Sequence, residues 1–155
     1  MKGLFAACLL VASAGLAAGV AGSVDATAGE RYAKQKVVYH VNGPGGEEDK
    51  AYRAALRNIQ NHIDAVGSDN IEVRVVMHGN GVDLVKDAVG NEKLQMDVTS
   101  LKTQKVKFVV CNNTLKGRNI SYETDLFEVF EQDIVPSGVA ELSRLQQMGY
   151  TYIKP

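Results

Sequence analysis

The sequence contains little cysteine and proline, no tryptophan, and no excess of charge. It has two cysteines and three prolines in 155 residues, and Cys8 falls in an N-terminal segment that we expect to be removed. No disulfide framework is therefore available. Basic and acidic side chains number 17 and 18, which gives a net charge of -1. Without a basic surplus, neither nucleic acid nor an anionic membrane is an expected partner.

The N-terminal segment has the layout of a secretory signal peptide. Lys2 supplies the positive charge, residues 4–20 form an apolar run, and Val24 and Ala26 occupy the -3 and -1 positions of a cleavage site. The run is short for a membrane span and no cationic cluster follows it, so we favour cleavage over an uncleaved anchor. The sequence therefore predicts a signal peptide at 1–26.

Cleavage there would leave one mature domain at 27–155. We expect this domain to be periplasmic or secreted, with no membrane attachment after cleavage. Its single cysteine would be Cys111, and a lone cysteine in an exported protein calls for a reason.

Short apolar runs alternate with helical periodicity along the mature chain. Runs near 37–41, 71–77 and 105–111 predict three strands, and shorter runs near 134–135 and 150–153 predict two more. The stretches between them space their apolar residues as helices do. Because the strands are too apolar for a sheet with one solvated face, the pattern predicts an α/β domain of three layers, α/β/α, with a mostly parallel five-stranded sheet.

Three local features refine the expected helices. The acidic residues 47–49 should form the first turn of a helix. Ser121 should cap a helix that turns Phe130 inward, and Ser137 should open a helix that turns Val139 inward.

The carboxyl ends of the first three strands carry the residues most suited to chemistry. His40 lies near the end of the first strand, His78 follows the second, and Cys111 ends the third. Parallel strands bring their carboxyl ends to one edge of the sheet, where the sites of open α/β sheets form. Five neighbours with amide or hydroxyl groups complete the candidate ligand-binding set: Asn42, Asn80, Asn112, Asn113 and Thr114.

Cys111 is the main candidate for catalysis. It precedes a helix start at 112–114, and the partial positive charge of a helix N-terminus lowers the pKa of a thiol. Lys116 and Arg118 would act in the same direction if they fold back. The alternative is a buried cysteine that packs as a small apolar side chain.

The histidines support different interpretations. We expect His78 to face a cavity and assist catalysis, because the glycines after it allow close approach of backbone to a ligand. His40 could bind a ligand or shuttle a proton, or simply bond a backbone carbonyl at a strand end. His62, on the flank of a helix, is interpreted as structural. A metal site would require His40, His78 and Cys111 to converge, and the sequence alone does not indicate one.

Several segments in order resemble the DsrE/DsrF-like family, in particular its exported single-domain branch. The segments are 37–41, 58–62, 75–82, 108–115, 135–142 and the Gly149-Tyr150 ending, which together span nearly all of the mature chain. The resemblance implies a five-stranded parallel sheet between helices, and assembly into trimers or hexamers. It also implies a sulfur relay in which a cysteine carries a persulfide from a donor to an acceptor. Cys111, at the end of the third strand, occupies the position that corresponds to this cysteine.

Two functions remain open at this point. In the first, the protein is a periplasmic sulfur carrier or sulfurtransferase: Cys111 takes a sulfur atom from a sulfane-sulfur donor, passes it to a sulfur-accepting protein, and needs no cofactor. The N–H groups of 112–114 would hold the resulting anion and His78 would assist. In the second, the protein is a non-catalytic oligomeric module that binds a small ligand, a metal or a partner, with a structural cysteine. The pKa of the thiol separates the two.

Overall fold

The computed structural model describes residues 31–155, so the signal peptide predicted at 1–26 lies outside the described residues. The strands are β1 (Gln35–Val41), β2 (Ile71–Met77), β3 (Lys107–Cys111), β4 (Ile134–Val135) and β5 (Thr151–Ile153). The α-helices are α1 (Lys50–Val66), α2 (Asp83–Asp87), α3 (Glu92–Thr103), α4 (Asn112–Arg118), α5 (Tyr122–Asp125) and α6 (Gly138–Gln147). None of these helices has the length and apolar character needed to cross a bilayer.

All five strands pair in parallel, in the order β4-β3-β2-β1-β5. The two shortest strands, β4 and β5, form the edges of the sheet. The predicted α/β fold with a five-stranded parallel sheet is therefore confirmed.

The two faces of the sheet are covered unequally. On one face, alternate side chains of β1, β2 and β3 join those of α1, α2, α3 and α4 in the larger apolar core. On the other face, Val38, Val76 and Val109 pack with Leu142 and Leu145 of α6 in a much smaller cluster. Helices on both faces give the predicted three layers, and the face that carries α6 is the one that bears the site described below.

The chain does not enter α1 as predicted. Residues 47–49 form a separate 3-10 turn, in which Glu48 and Asp49 have positive φ values of 50° and 57°. A Cβ on Gly45 would lie 2.6 Å from two ring carbons of Tyr52. The chain turns tightly around this ring before α1 begins, so the acidic residues stand outside the helix that they were expected to start.

Predictions for two apolar side chains in the second half of the chain are wrong. Phe130 is 54% exposed, because α5 ends at Asp125 and its helical spacing does not extend that far. The side chain of Ser121 makes no capping hydrogen bond at α5. Val139 is 64% exposed, because the first turn of α6 faces the sheet with the buried Gly138 instead.

Candidate functional site

Four side chains form a row along the carboxyl edge of the sheet. Cys111 ends β3, His78 directly follows β2, and His40 and Tyr152 lie in β1 and β5. These four strands are consecutive neighbours in the sheet, so each residue lies one strand from the next. Cys111 and His40 alternate in phase with the apolar residues that pack against α6, which places the row on that face.

The imidazoles of His40 and His78 are hydrogen-bonded to each other. Their Nε2 atoms are 2.7 Å apart, and their ring centroids are 4.7 Å apart with an interplanar angle of 29°. The Nδ1 atom of His40 lies 2.7 Å from the hydroxyl oxygen of Tyr152. A bond between two imidazole nitrogens requires one donor and one acceptor. The three side chains therefore form one continuous hydrogen-bonded chain with a single proton between the two rings.

Both histidines are held in their uncharged form at neutral pH. Burial lowers the pKa of His40 below 6.5, and the positive charges of His78 and Lys154 lower it further. Burial and the charge of Lys154 likewise lower the pKa of His78. Each ring therefore carries one N–H, and the bond between the rings joins the N–H of one to the lone pair of the other.

Cys111 is a buried free thiol, only 5% exposed. Burial raises the pKa of this thiol, but hydrogen bonds to its sulfur act against burial and prevail. The backbone N–H groups of Gly138, Thr114 and Asn113 and the hydroxyl of Thr114 donate these bonds. The net result is a pKa below the ordinary value, as the sequence predicted.

Thr114 connects Cys111 to the turn after β2. Its hydroxyl oxygen accepts a hydrogen bond of 2.9 Å from the backbone N–H of Gly79. The same hydroxyl donates its proton to the sulfur of Cys111. The oxygen thus accepts from Gly79 while its proton points to the sulfur, so the two bonds together fix the orientation of the hydroxyl.

Gly138 packs between Cys111 and His78. A Cβ at this position would lie 3.1 Å from the Cβ of each of these residues and 3.4 Å from Cδ2 of His78. The hydroxyl of Ser137 accepts a hydrogen bond from the N–H of Ala140, so it caps α6 as predicted. The N-terminus of α6 therefore packs directly against both Cys111 and His78.

A cavity of about 140 Å³ lies beside the histidine end of the row. Its lining includes His40, Asn42, Tyr52 and Lys154. Asn42, which the sequence proposed as a ligand-binding residue, therefore lines the same cavity as His40, and Lys154 adds a positive charge that the sequence did not point to.

The other predicted amides take different places. The side chain of Asn80 is exposed, and its backbone carbonyl accepts a hydrogen bond from the hydroxyl of Tyr52. Asn112 lines two shallow depressions beside Tyr122. Asn113 acts on the thiol through its backbone N–H. Asn80 and Asn113 thus contact the site, or the turn after β2, through backbone groups and not through their side chains.

Arg118 does not fold back toward Cys111. Its guanidinium donates to the carboxylate of Asp83 at 2.8 Å and to the carbonyl of Gly79 at 3.1 Å. Lys116 lines a surface depression with Asn112. Hydrogen bonds, and neither of these cations, are the causes that lower the pKa of Cys111.

Two important residues escaped the sequence analysis. Tyr152 belongs to the row because β5 lies beside β1, and Gly138 contacts the row because α6 begins against Cys111. Strand order is a property of the folded sheet, and no local signal in the sequence indicates it. No group of three or more His, Cys, Asp or Glu side chains within 31–155 is arranged to hold a metal ion.

Comparisons with known proteins agree with this architecture. The sequence model of the DsrE/DsrF-like family matches residues 35–155. The protein of unknown function MTH1491 from Methanobacterium thermoautotrophicum is 29% identical, with a TM-score of 0.64 over 78% of this chain and 99% of that chain. The ychN protein from E. coli shares the fold at 21% identity, with a TM-score of 0.60 over 78% of this chain and 99% of its own. No curated protein is significantly similar to this chain.

Proposed function

This chain belongs to the DsrE/DsrF-like family, and we propose that it is a sulfur carrier or sulfurtransferase in which Cys111 accepts a sulfur atom as a persulfide. The observation that carries the proposal is the thiol itself, which is free, buried and surrounded by hydrogen-bond donors that lower its pKa. A lowered pKa raises the fraction of thiolate, and the thiolate is the nucleophile in sulfur chemistry.

The proposed reaction is an exchange at sulfur. The thiolate of Cys111 attacks the outer sulfur of a sulfane-sulfur donor, and a new S–S bond forms. The bond between that sulfur and the rest of the donor breaks, and the leaving group departs with the electron pair. Attack by the thiolate of a sulfur-accepting protein on the outer sulfur of the Cys111 persulfide then passes the sulfur on and restores the thiolate.

The hydrogen-bond donors around Cys111 suit the product as well as the reactant. A persulfide carries its negative charge on the outer sulfur, and backbone N–H groups that converge on one point stabilise an anion there. Gly138 packs against both Cys111 and His78, so His78 lies close to the residue that would carry the persulfide. We assign to His78 the role of assisting proton transfer.

Mass spectrometry of the intact mature protein tests the proposal. After incubation with polysulfide, the protein should gain the mass of one or more sulfur atoms, and dithiothreitol should reverse the gain. Cys111→Ser should gain nothing, and circular dichroism on this variant checks that the fold is retained. If Cys111→Ser does not fold, wild-type protein alkylated at Cys111 serves as the unreactive control.

The alternative function gives the opposite result. In a binding module with a structural cysteine, the wild-type thiol would alkylate no faster than free cysteine and would take up no sulfur. The pKa of that thiol would lie at or above the free value of about 8.5.

We also propose that the protein acts in the periplasm or outside the cell, after removal of residues 1–26. The sequence of charge, apolar run and small residues before Thr27 supports this. N-terminal sequencing of the protein recovered from the periplasm should begin near Thr27. A full-length species retained in the membrane would contradict the proposal.

Assembly into a homo-oligomer is a further part of the proposal. The family resemblance supports a trimer or hexamer, and short edge strands such as β4 and β5 leave backbone groups at the sheet edges. Light scattering at micromolar concentration should give a multiple of the protomer mass. A single protomer mass that does not change with concentration would argue against it.

A further inference from the structure

We infer that α6 is a movable cover over Cys111, and that the thiol reacts only while the start of this helix is lifted from the sheet. Lifting and reseating of α6 would then regulate the proposed sulfur site. The sulfur step of this cycle rests on the proposed function, whereas the exposure of the thiol does not.

With α6 seated, Cys111 is closed to a donor molecule. The residue is 5% exposed, and the cavity beside His40 and the two depressions beside Asn112 are lined by other residues. A nucleophile must touch the atom that it attacks, and access is one of the factors that set the rate of exchange at sulfur. Some part of the structure around Cys111 must therefore move before the thiol can meet a donor.

Two helix starts surround the thiol, and only one of them can withdraw from it. The helix α4 follows Cys111 directly in the chain, so its first residues stay beside the sulfur. The helix α6 comes from a distant part of the chain and begins with the buried Gly138. A Cβ on Gly138 would lie 3.1 Å from the Cβ of Cys111. Withdrawal of α6 is therefore the movement that uncovers the thiol.

The contacts that hold α6 on the sheet are mainly apolar. Leu142 and Leu145 pack against one valine from each of β1, β2 and β3. The side-chain hydrogen bonds of Arg144 and Gln146 end within the helix or on the residue directly after it. Within residues 31–155, no side-chain hydrogen bond joins α6 to the sheet. Truncation of one of these leucines should therefore weaken the attachment of α6 strongly.

The strands at both ends of α6 are also weakly held. β4 precedes the helix and pairs with β3 over two residues, and β5 follows it and pairs with β1 over three. Both lie at the edges of the sheet. Segments with few buried apolar contacts open at a lower cost than the whole domain. The start of α6 can therefore lift while β1, β2, β3 and the larger core stay folded.

The lifted helix would open Cys111 toward a depression that already exists on the surface. Its lining includes Asn112, Val135 and Pro136. Asn112 directly follows Cys111 in the chain, Val135 pairs with Cys111 across the sheet, and Pro136 precedes the start of α6. A donor in this depression lies beside the sulfur once Gly138 withdraws. The seated helix also limits the irreversible oxidation to which an exposed thiolate is prone.

The rate at which iodoacetamide alkylates Cys111 measures the opening without reference to sulfur transfer. Leu145→Ala should raise this rate at least roughly tenfold at neutral pH, because the loss of a buried leucine side chain shifts a local equilibrium by more than that factor. Urea unfolding and circular dichroism check that the variant is folded in the assay. If Leu145→Ala does not fold, Leu142→Ala weakens the same interface and replaces it.

Leu101→Ala in α3 is the matched control. Leu101 and Leu145 are equally buried, at 2% and 1% exposed, but Leu101 belongs to the larger core on the other face of the sheet. Its truncation lowers the stability of the domain without touching α6. The alkylation rate should therefore change by less than about twofold, since distant sites act independently.

The outcomes separate the cover from the function on which its sulfur step rests. Loading of sulfur from polysulfide, followed by intact-protein mass, should be faster in Leu145→Ala than in the wild type. Equal measurable rates in these two proteins, in either reaction, would overturn the inference. Equal acceleration of alkylation by Leu145→Ala and Leu101→Ala would also overturn it, because the thiol would then be exposed only by global unfolding. Faster alkylation of Leu145→Ala with no sulfur uptake in any protein would overturn the carrier function and leave the cover standing.

Discussion

At Cys111, the thiol experiences two opposite influences, and the balance between them decides what the residue can do. Burial favours the neutral thiol, whereas the hydrogen bonds from Gly138, Thr114 and Asn113 favour the thiolate. Most of these donors are backbone groups fixed by two helix starts, so a side-chain substitution removes few of them. The hydroxyl of Thr114 is the exception.

Replacing Thr114 with valine should raise the pKa of the Cys111 thiol and slow its alkylation at neutral pH. The substitution keeps the shape of the side chain but removes the hydroxyl donor to sulfur and the acceptor of the Gly79 N–H. The lost hydrogen bonds should also lower the free energy of unfolding by about 1 kcal/mol. The pH dependence of iodoacetamide alkylation measures the first effect and urea unfolding the second.

Thr114→Ser is the control for that experiment, because it keeps the hydroxyl and loses only a methyl group. It should restore the alkylation profile of the wild type. If Thr114→Val alkylates with an unchanged profile, the hydroxyl does not contribute to the thiol pKa.

Among the elements, features set by the local sequence pattern were predictable, whereas features set by contacts with neighbouring elements were not. Apolar runs and helical spacing predicted all five strands and the long helices, because burial imposes a period of two on strands and of about 3.6 on helices. His40, His78 and Cys111 were correctly placed at one edge, since parallel strands dictate this. Three features were not predictable: the exposure of Phe130, the contact at Gly138 and the position of Tyr152. They depend on where a helix ends and on which strands are adjacent, and no local sequence pattern indicates either.

The turn after β2 depends on one glycine. A Cβ on Gly81 would lie 1.9 Å from the carbonyl oxygen of Val41 and 2.4 Å from its carbonyl carbon. Gly81→Ala should therefore lower the free energy of unfolding by about 3 kcal/mol or more, because the obstacle is strand backbone that has no room to move. The urea midpoint measures the effect.

Gly90→Ala is the matched control, since a Cβ there meets nothing within 4 Å. Its urea midpoint should differ little from that of the wild type. An equal loss at both positions would mean that the close approach at Gly81 does not determine stability.

For the whole molecule, all three histidines make the free energy of unfolding depend on pH in the same direction. Burial is the leading cause of the lowered pKa of His40, His62 and His78, whose ordinary value is 6.5. Between this value and the lower values in the folded state, the unfolded chain binds more protons than the folded one, so stability falls as pH falls. Above 6.5 all three are neutral in both states and the effect vanishes.

The free energy of unfolding should therefore be lower at pH 5.5 than at pH 7.5 in urea titrations, pH values chosen on either side of about 6.5. Carboxylates with a lowered pKa, such as Glu72 and Glu141, have ordinary values of 4.5 and act below this window. His40→Gln should reduce the difference between the two pH values. A wild-type protein equally stable at both would show that burial does not keep the rings neutral.

The pairing of β5 with β1 also determines when the site is assembled during folding. Tyr152 and His40 are 112 positions apart in the chain, and the strands that carry them pair over three residues. Closing so long a loop costs chain entropy before any contact offsets it, so pairings of this kind form late. Cys111 and the start of α4 are adjacent in the chain and need no such closure. The bond between Tyr152 and His40 is thus the last part of the site to assemble and, with so short an edge strand, the first to open when the native state fluctuates.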